Sequence, residues 1–312
     1  MQSRALPASA ARVAPRRASA VAAIDAAALG SVHVPEAISQ IADGTLALAP
    51  TAFGALGAVG LVGAVLVATD PQRRRSEQMT STGGNEKAAV ANYFNGVGFE
   101  RWNKIYGTTD DVNSVQLDIR KGHAQTVDKV LSWLPQDLSG VTVCDAGCGT
   151  GSLALPLALH GADVAGFDIS QAMADEAARR YDAAVAAGAR EAAVRPRFAA
   201  SDLQAVSGRF HTVACIDVLI HYPQERVNEM IAHLAGLAEE RVILSFAPST
   251  PYYEVLKRIG ELFPKGAKAT RAYLHTEQAV EAAFNAAGWR VVRRDLTATR
   301  FYFSRLFEAV RM

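Results

Sequence analysis

Residues 141–170 read VTVCDAGCGTGSLALPLALHGADVAGFDIS, and no other stretch restricts the fold as much. Residues 141–144 are a short apolar run, the signature of a strand buried on both faces. Gly147, Gly149 and Gly151 follow, alternating with Cys148 and Thr150. An apolar helical segment comes next, then a second strand-like run that ends on Asp168. The order is strand, tight loop, helix, strand, with a carboxylate at the tip of the second strand. In an open α/β sheet this arrangement receives a nucleotide-sized ligand at the carboxyl ends of the strands.

The residue types narrow the ligand. Glycines permit positive φ and carry no Cβ, so a ligand can lie directly on the backbone. Asp168 can accept hydrogen bonds from both hydroxyls of a ribose. A dinucleotide fingerprint, Gly-x-Gly-x-x-Gly, would need its last glycine at position 152, which is Ser152. Asp145, just before the loop, is also ill placed beside a pyrophosphate and suits a ligand that carries positive charge. The Asp-x-Gly-x-Gly-x-Gly form resembles motif I of the class I S-adenosylmethionine-dependent methyltransferases. That cofactor is a sulfonium with an α-amino group and no phosphate. Asp145, Gly147, Cys148, Gly149, Gly151 and Asp168 are therefore expected to bind S-adenosylmethionine. A glycine-rich turn with no ligand would not explain why loop, helix and Asp168 agree in spacing.

The rest of the pattern predicts an α/β fold: a Rossmann-like, mostly parallel class I methyltransferase sheet with an antiparallel C-terminal hairpin and an N-terminal helical arm. Ser170 is a natural N-cap for a helix over 170–187, and Gly188 is placed to end it. A third strand over 197–200 leads into Asp202 and Leu203. Asp202 is placed to accept from an adenine amine, with Ile169 and Leu203 on the two ring faces; a solvated turn is its plain alternative. A fourth strand over 212–219 delivers Asp217, His221 and Tyr222. Its end should lie beside the methionine part of the cofactor, so Asp217 joins the cofactor set and His221 and Tyr222 fall near the reacting centre. A helix over 224–239, a strand over 241–247, a helix over 277–287 and alternating runs at 289–293 and 299–307 complete the pattern.

Composition sets limits around this core. The chain has 312 residues, with 32 Lys and Arg against 31 Asp and Glu, so no global field favours nucleic acid. Cys144, Cys148 and Cys215 lie in strands or the glycine loop, which is no disulfide framework, and they lack the partners a metal site needs. Residues 1–24 hold Arg4, Arg12, Arg16 and Arg17 and no acid before Asp25, the composition of an organellar transit peptide. Residues 1–44 are read as such a leader, with a disordered basic tail as the alternative. Residues 45–68 carry no charge and exceed the ~20 apolar residues that a bilayer span needs. With Arg73, Arg74 and Arg75 behind them, residues 45–75 are read as a membrane-associated segment or part of the leader. Residues 76–85 form a polar linker, and the methyltransferase domain occupies 86–312.

An arm over 86–134 precedes the nucleotide fold. Tyr93, Phe99, Trp102 and Tyr106 crowd its first part, and Val115, Ile119, Val127, Val130, Leu131 and Leu134 recur at helical spacing up to Pro135. Such an arm can close over a cofactor and shape an acceptor pocket. Tyr93, Trp102 and Tyr106 are its acceptor-side candidates, although ordinary packing is the better account of Trp102 and Phe99 and an equal one of Tyr106. Downstream, Lys268, Arg271 and Arg300 are positioned to hold carboxylates, or are solvated loop charges.

The segments FNGVGFERWNKIYG, VCDAGCGTGSL, CIDVLIHYP, LSFAP, LFPKGAKATRAY and TATRFYFSR together resemble the magnesium-protoporphyrin IX O-methyltransferases of chlorophyll biosynthesis, from about residue 86 to the end. The resemblance implies methyl transfer from S-adenosylmethionine to a propionate of magnesium-protoporphyrin IX. For that reaction Tyr106 and His221 are expected to orient the propionate, with Tyr93, Trp102, Tyr222, Lys268, Arg271 and Arg300 around the substrate; axial ligation of the porphyrin magnesium is the alternative for His221. The resemblance further implies handover from the large subunit of magnesium chelatase, and a chloroplast location at a thylakoid or envelope membrane surface facing the stroma. Two other readings keep every cofactor residue: a methyltransferase of another apolar acceptor such as a quinone precursor, and a non-catalytic porphyrin- or cofactor-binding module.

Overall fold

The structure is a computed structural model and describes residues 86–250, 253 and 273–312. The leader, the apolar segment, the linker, all but Tyr253 of the helix that the sequence suggests over 252–263, and Lys268 and Arg271 lie outside the described residues.

Three helices come first: α1 (Glu86–Asn95), α2 (Val97–Ile105) and α3 (Ser114–Trp133). Gly98 lets α2 fold tightly against α1, because a Cβ there would lie 2.6 Å from the Tyr93 carbonyl oxygen. A capping box starts α3: Gln116 N donates to Asn113 Oδ1 at 2.9 Å, and Asn113 N donates to Gln116 Oε1 at 3.0 Å. Val127 and Val130 bury the core-facing stripe of this helix.

Strands and helices then alternate: β1 (Thr142–Ala146), α4 (Ala154–Leu159), β2 (Asp163–Asp168), α5 (Gln171–Ala186), β3 (Arg197–Ala200), β4 (Phe210–Cys215), α6 (Gln224–Leu237), β5 (Ala238–Phe246), α7 (Glu277–Ala286), β6 (Trp289–Ala298) and β7 (Phe303–Arg311). The seven strands form one sheet in the order β3-β2-β1-β4-β5-β7-β6. Strands β1 to β5 pair in parallel, and β7 runs antiparallel to both its neighbours. Strand order reverses at β1, which pairs with β2 on one side and β4 on the other. The carboxyl ends of β1 and β4 therefore flank a crevice.

Both faces of the sheet are covered. On β5, Val242, Leu244 and Phe246 enter one apolar cluster, while Ile243 between them enters the other. The alternation is that of a strand buried on both sides. One cluster joins the sheet to α6 and α7 through Leu234, Phe284, Trp289 and Phe307. The other joins it to α3, α4 and α5 through Val130, Leu157, Tyr181 and Leu306.

Several boundaries depart from the sequence pattern. The fourth strand ends at Cys215 rather than at Leu219. Asp217 has φ +61, in the left-handed region, so extended pairing cannot pass through it. The apolar residues beyond it form a 3₁₀ turn, Leu219–His221. The final hairpin is longer than the runs at 289–293 and 299–307 suggest, because charged side chains hide the alternation in β6. There Arg293 lies over the Trp133 ring at 5.2 Å, and Arg294 donates to Glu281 at 2.8 Å. The helix before β5 stops at Leu237, and β5 starts at Ala238. No helix of the described residues is long and apolar enough to cross a membrane.

Candidate active site

The crevice is built from the end of β1. Asp145 is the fourth residue of that strand and is 2% exposed. The loop that follows is pinned to β2, as Gly147 N and Cys148 N both donate to Phe167 O, at 2.7 and 2.9 Å. Gly147 has φ +84, and a Cβ there would meet Val218 Cγ2 at 2.2 Å, so this glycine serves the close approach of loop and β4 tip. Gly149 has φ +51, and a Cβ there would have nothing within 4 Å. Its open side is where a ligand can rest on the backbone. Asp168 shapes the same loop: Gly149 N donates to its Oδ2 at 3.0 Å and Ser170 N to its Oδ1 at 2.9 Å. Each carboxylate oxygen keeps a further lone pair for a sugar hydroxyl.

Electrostatics specify the ligand further. Burial first, and then the Asp168 charge, raise the Asp145 pKa to about 7. Burial also raises that of Asp168, against the backbone donors that hold it down. Asp145 Oδ2 is buried with no hydrogen-bond partner. Two neighbouring buried acids with an orphaned oxygen accept a cationic ligand and reject a phosphate. S-adenosylmethionine, with its sulfonium and ammonium, fits that donor set. Toward the expected adenine side, half-buried Asp202 caps a 3₁₀ turn through Gln204 N at 3.1 Å, beside buried Leu203 and half-buried Ile169. The thiols stay protonated: burial, then the Asp145 charge, push Cys144 up to about 12 and raise Cys148 and Cys215 as well. Among the described residues no cluster of His, Cys, Asp and Glu could hold a metal ion.

Asp217 anchors the other wall. Its Oδ2 accepts from the Tyr302 hydroxyl at 2.7 Å and lies 2.7 Å from His123 Nδ1. Its Oδ1 accepts from Ser245 Oγ at 3.0 Å and Ser304 Oγ at 3.1 Å, while its own N–H donates to Ser245 Oγ at 2.8 Å. Burial pushes the carboxyl up, but His123, Tyr302 and Ser245 outweigh it and hold the pKa below the usual range. The sequence places Asp217 against the cofactor; the structure commits both its oxygens to protein donors drawn from α3, β5 and the final hairpin. His123 escaped the sequence reading, although it lies four residues from both Ile119 and Val127 on the core-facing stripe of α3. A titratable side chain on such a stripe was the available signal.

Tyr106, His221 and Trp102 gather around this wall. Tyr106 caps α2 and stacks on the His123 ring at 4.2 Å and 25°. Burial, then the charge of Asp217, raise its hydroxyl well above the ordinary tyrosine range. His221 ends the 3₁₀ turn after Asp217, lies edge-on to Phe94 at 5.3 Å, and has a buried Nδ1 without a partner. Burial outweighs the Asp217 charge and lowers its pKa to about 4, so it is neutral at pH 7. Trp102 lies 5.3 Å from Tyr106, and its buried Nε1 has no partner.

The other acceptor-side candidates have different surroundings. Tyr93 is buried against Phe94, with ring centroids 5.0 Å apart. Tyr222 is buried in the apolar cluster that includes Val227 and Met230 of α6. Arg300 is exposed in the β6–β7 turn, and its charge acts on Asp118.

Polar contacts fasten the arm to the cofactor half of the fold. Arg180 on α5 donates to Tyr106 O at 2.8 Å, Asn103 O at 3.1 Å and Asn103 Oδ1 at 2.6 Å. Buried Glu176 steadies that guanidinium through its Nε at 2.9 Å. Ser170 Oγ donates to Phe94 O at 2.9 Å, and within the arm Arg120 on α3 donates to Ile105 O at 2.6 Å. Tyr106 is thus held through its ring and its carbonyl.

Known proteins match this arrangement. The family described as magnesium-protoporphyrin IX methyltransferase C-terminus matches residues 215–311, and a methyltransferase domain matches residues 143–240. The chain is 55% identical over 258 residues to the chloroplastic magnesium protoporphyrin IX methyltransferase of Arabidopsis thaliana, covering 82% of this chain and 81% of the relative. The chain belongs to the magnesium-protoporphyrin IX methyltransferase family. A Synechocystis magnesium-protoporphyrin O-methyltransferase is 50% identical over 235 residues, which is 75% of this chain and all of the relative. The crystal structure of a Synechocystis PCC 6803 member with bound SAH superposes with a TM-score of 0.65 at 50% identity, over 72% of this chain and 100% of that one. Residues 1–85 precede the described part of this family member.

Proposed function

We propose that this chain transfers the methyl group of S-adenosylmethionine to a propionate carboxylate of magnesium-protoporphyrin IX, giving the monomethyl ester in chlorophyll biosynthesis. Family membership supports the substrate. The observation that carries the reaction is the buried Asp145 oxygen, unpartnered at the switch point beside the open Gly149. A cationic methyl donor satisfies that site.

S-adenosylmethionine supplies an electrophilic methyl group when bound. The residues named for its cradle are Asp145, Gly147, Cys148, Gly149 and Gly151, with Asp168 on the ribose and Asp202, Ile169 and Leu203 around the adenine. A propionate resembles a Glu side chain, with a free pKa of about 4.3, so it is already a carboxylate at pH 7. The site therefore needs no strong base. It must align the carboxylate oxygen with the methyl carbon and exclude water.

Tyr106 and His221 are the residues assigned to that alignment. The raised pKa of Tyr106 keeps its hydroxyl a donor, and neutral His221 offers one N–H. Asp217 does not touch the acceptor in this reading, since its negative charge would repel a second carboxylate. It hydrogen-bonds His123, Tyr302, Ser245 and Ser304, and its charge reaches Tyr106 and His221. Lys268, Arg271 and Arg300 remain assigned to the propionate that is not methylated.

Incubating the full chain with labelled S-adenosylmethionine and magnesium-protoporphyrin IX, with metal-free protoporphyrin in parallel, should give label in the magnesium product. Label in a quinone precursor instead, or in no porphyrin, would reject the assignment. Tyr106→Phe and His221→Ala should keep S-adenosylhomocysteine affinity and lose single-turnover rate by about 10²-fold, as misalignment of the reacting groups does. The Arabidopsis relative's description supports a chloroplast location. Handover from magnesium chelatase and contact with a plastid membrane surface complete the proposal; co-purification and vesicle flotation of the full chain test them.

A further inference from the structure

His123 carries a polar atom that none of this chemistry uses. It is 9% exposed, with Nδ1 at 2.7 Å from Asp217 Oδ2. An ionised carboxylate only accepts, so Nδ1 carries the proton of that bond. Nε2, on the far edge of the ring, is buried and has no hydrogen-bond partner.

Neither visible duty of this side chain calls for a histidine. Asp217 already accepts from Tyr302, Ser245 and Ser304. A phenylalanine would stack on Tyr106 equally well without burying a nitrogen. Native structures rarely keep a buried polar atom unpaired, and a ligand that pairs it relieves the penalty. The ring underlies Tyr106, and Tyr106 and His221 both lie within the field of Asp217. His123 therefore belongs to the cluster assigned to the acceptor.

We propose that His123 is a substrate-binding residue whose Nε2 hydrogen-bonds the propionate carboxylate being methylated. This rests on the function proposed above. In the complex the imidazole lies between two carboxylates, Asp217 at Nδ1 and the substrate at Nε2, and the proton that Nε2 donates is taken up from solvent as the substrate binds. In the transfer, the carboxylate oxygen bonds to the methyl carbon, the carbon–sulfur bond breaks, and its electron pair stays on sulfur. His123 gives up no proton. The acceptor loses its negative charge, so the ester is held less firmly than the acid and leaves. A propionate arm is narrow enough to reach a recessed nitrogen, whereas a flat macrocycle bringing its magnesium to that nitrogen is not.

The test uses the full chain with S-adenosylhomocysteine present. His123→Asn keeps a donor for Asp217 and removes the group at Nε2; His123→Gln restores an N–H near Nε2. Each is titrated with magnesium-protoporphyrin IX, its dimethyl ester and metal-free protoporphyrin IX. His123→Asn should weaken both free acids by about tenfold or more, as loss of a charge-assisted hydrogen bond does. Binding of the dimethyl ester and of S-adenosylhomocysteine should not change, and His123→Gln should recover part of the loss. Unchanged acid binding would overturn the proposal. So would a loss shared by every ligand, which marks a structural role, or one confined to the two magnesium forms, which marks metal ligation. If the wild-type chain fails to methylate magnesium-protoporphyrin, the proposed function fails, while the contrast between acid and ester still judges His123.

Discussion

Asp145→Asn should flatten the pH dependence of cofactor binding. The reasoning starts from a carboxyl that burial, and then Asp168, raise to about 7. With that pKa, roughly one-tenth of the free protein has Asp145 ionised at pH 6 and roughly nine-tenths at pH 8. A cationic ligand binds the ionised form, so its affinity should follow that fraction. The expected dissociation constant of S-adenosylhomocysteine, whose ammonium is retained, is about tenfold higher at pH 6 than at pH 8, or ~1.4 kcal/mol. S-adenosylmethionine should show at most the same change of about tenfold, since one carboxyl titrates. Calorimetry in buffers of different ionisation heat should show proton release on binding near pH 7. The Asn variant should bind at pH 8 at least as weakly as the wild type at pH 6, with no slope between pH 6 and pH 8. The sign for folding runs the other way. A carboxyl whose folded pKa is raised favours the folded ligand-free chain as pH falls from 7 toward 4. Adding cofactor should remove that contribution. Equal dissociation constants at pH 6 and pH 8, or a slope that persists in the Asn variant, would refute the reasoning.

Three further outcomes follow from the geometry. Asp217→Ala removes the acceptor of Tyr302, Ser245, Ser304 and His123 and should cost about 3–5 kcal/mol in urea unfolding, as loss of one partner of a buried charged network does; Asp217→Asn, which tolerates φ +61, should cost less. Gly147→Ala should destabilise the fold by driving a Cβ to 2.2 Å from Val218, with partial rescue by Val218→Ala, whereas Gly149→Ala should cost only about 1–2 kcal/mol of stability yet abolish measurable cofactor binding in calorimetry. Arg180→Ala frees the carbonyls of Asn103 and Tyr106, so steady-state assays should show a lower kcat and a higher porphyrin KM, with S-adenosylhomocysteine affinity unchanged.

The cofactor half was legible in the sequence because its signals are local. Asp145, the glycines and Asp168 fall within one strand–loop–helix–strand unit, and their spacing alone separates a sulfonium cofactor from a dinucleotide. The mostly parallel sheet with its antiparallel finish followed from alternating strands and helices, whereas its strand order did not. The acceptor half is assembled at long range. Asp217 meets His123, Ser245, Tyr302 and Ser304, which no short window joins. The end of β4 was misread because an apolar run continues past Asp217, and nothing in the pattern shows that one aspartate takes a left-handed backbone. The surroundings of Tyr222 and Arg300 were hidden for a related reason: proximity to a strand end or a hairpin does not say which way a side chain packs.

The place of β7 between β5 and β6 has a kinetic corollary. Until that strand docks, β5 presents an open edge, β6 has no neighbour in the sheet, and Asp217 lacks its contacts to Tyr302 and Ser304. Pairings distant along the chain form slowly, since loop closure precedes their reward. The β5–β7 pairing spans no more chain than β1–β4 does, so methyl transfer should return only when both long-range pairings are in place. A chain with β1–β4 paired and β7 undocked would hold its donor without yet being able to spend it.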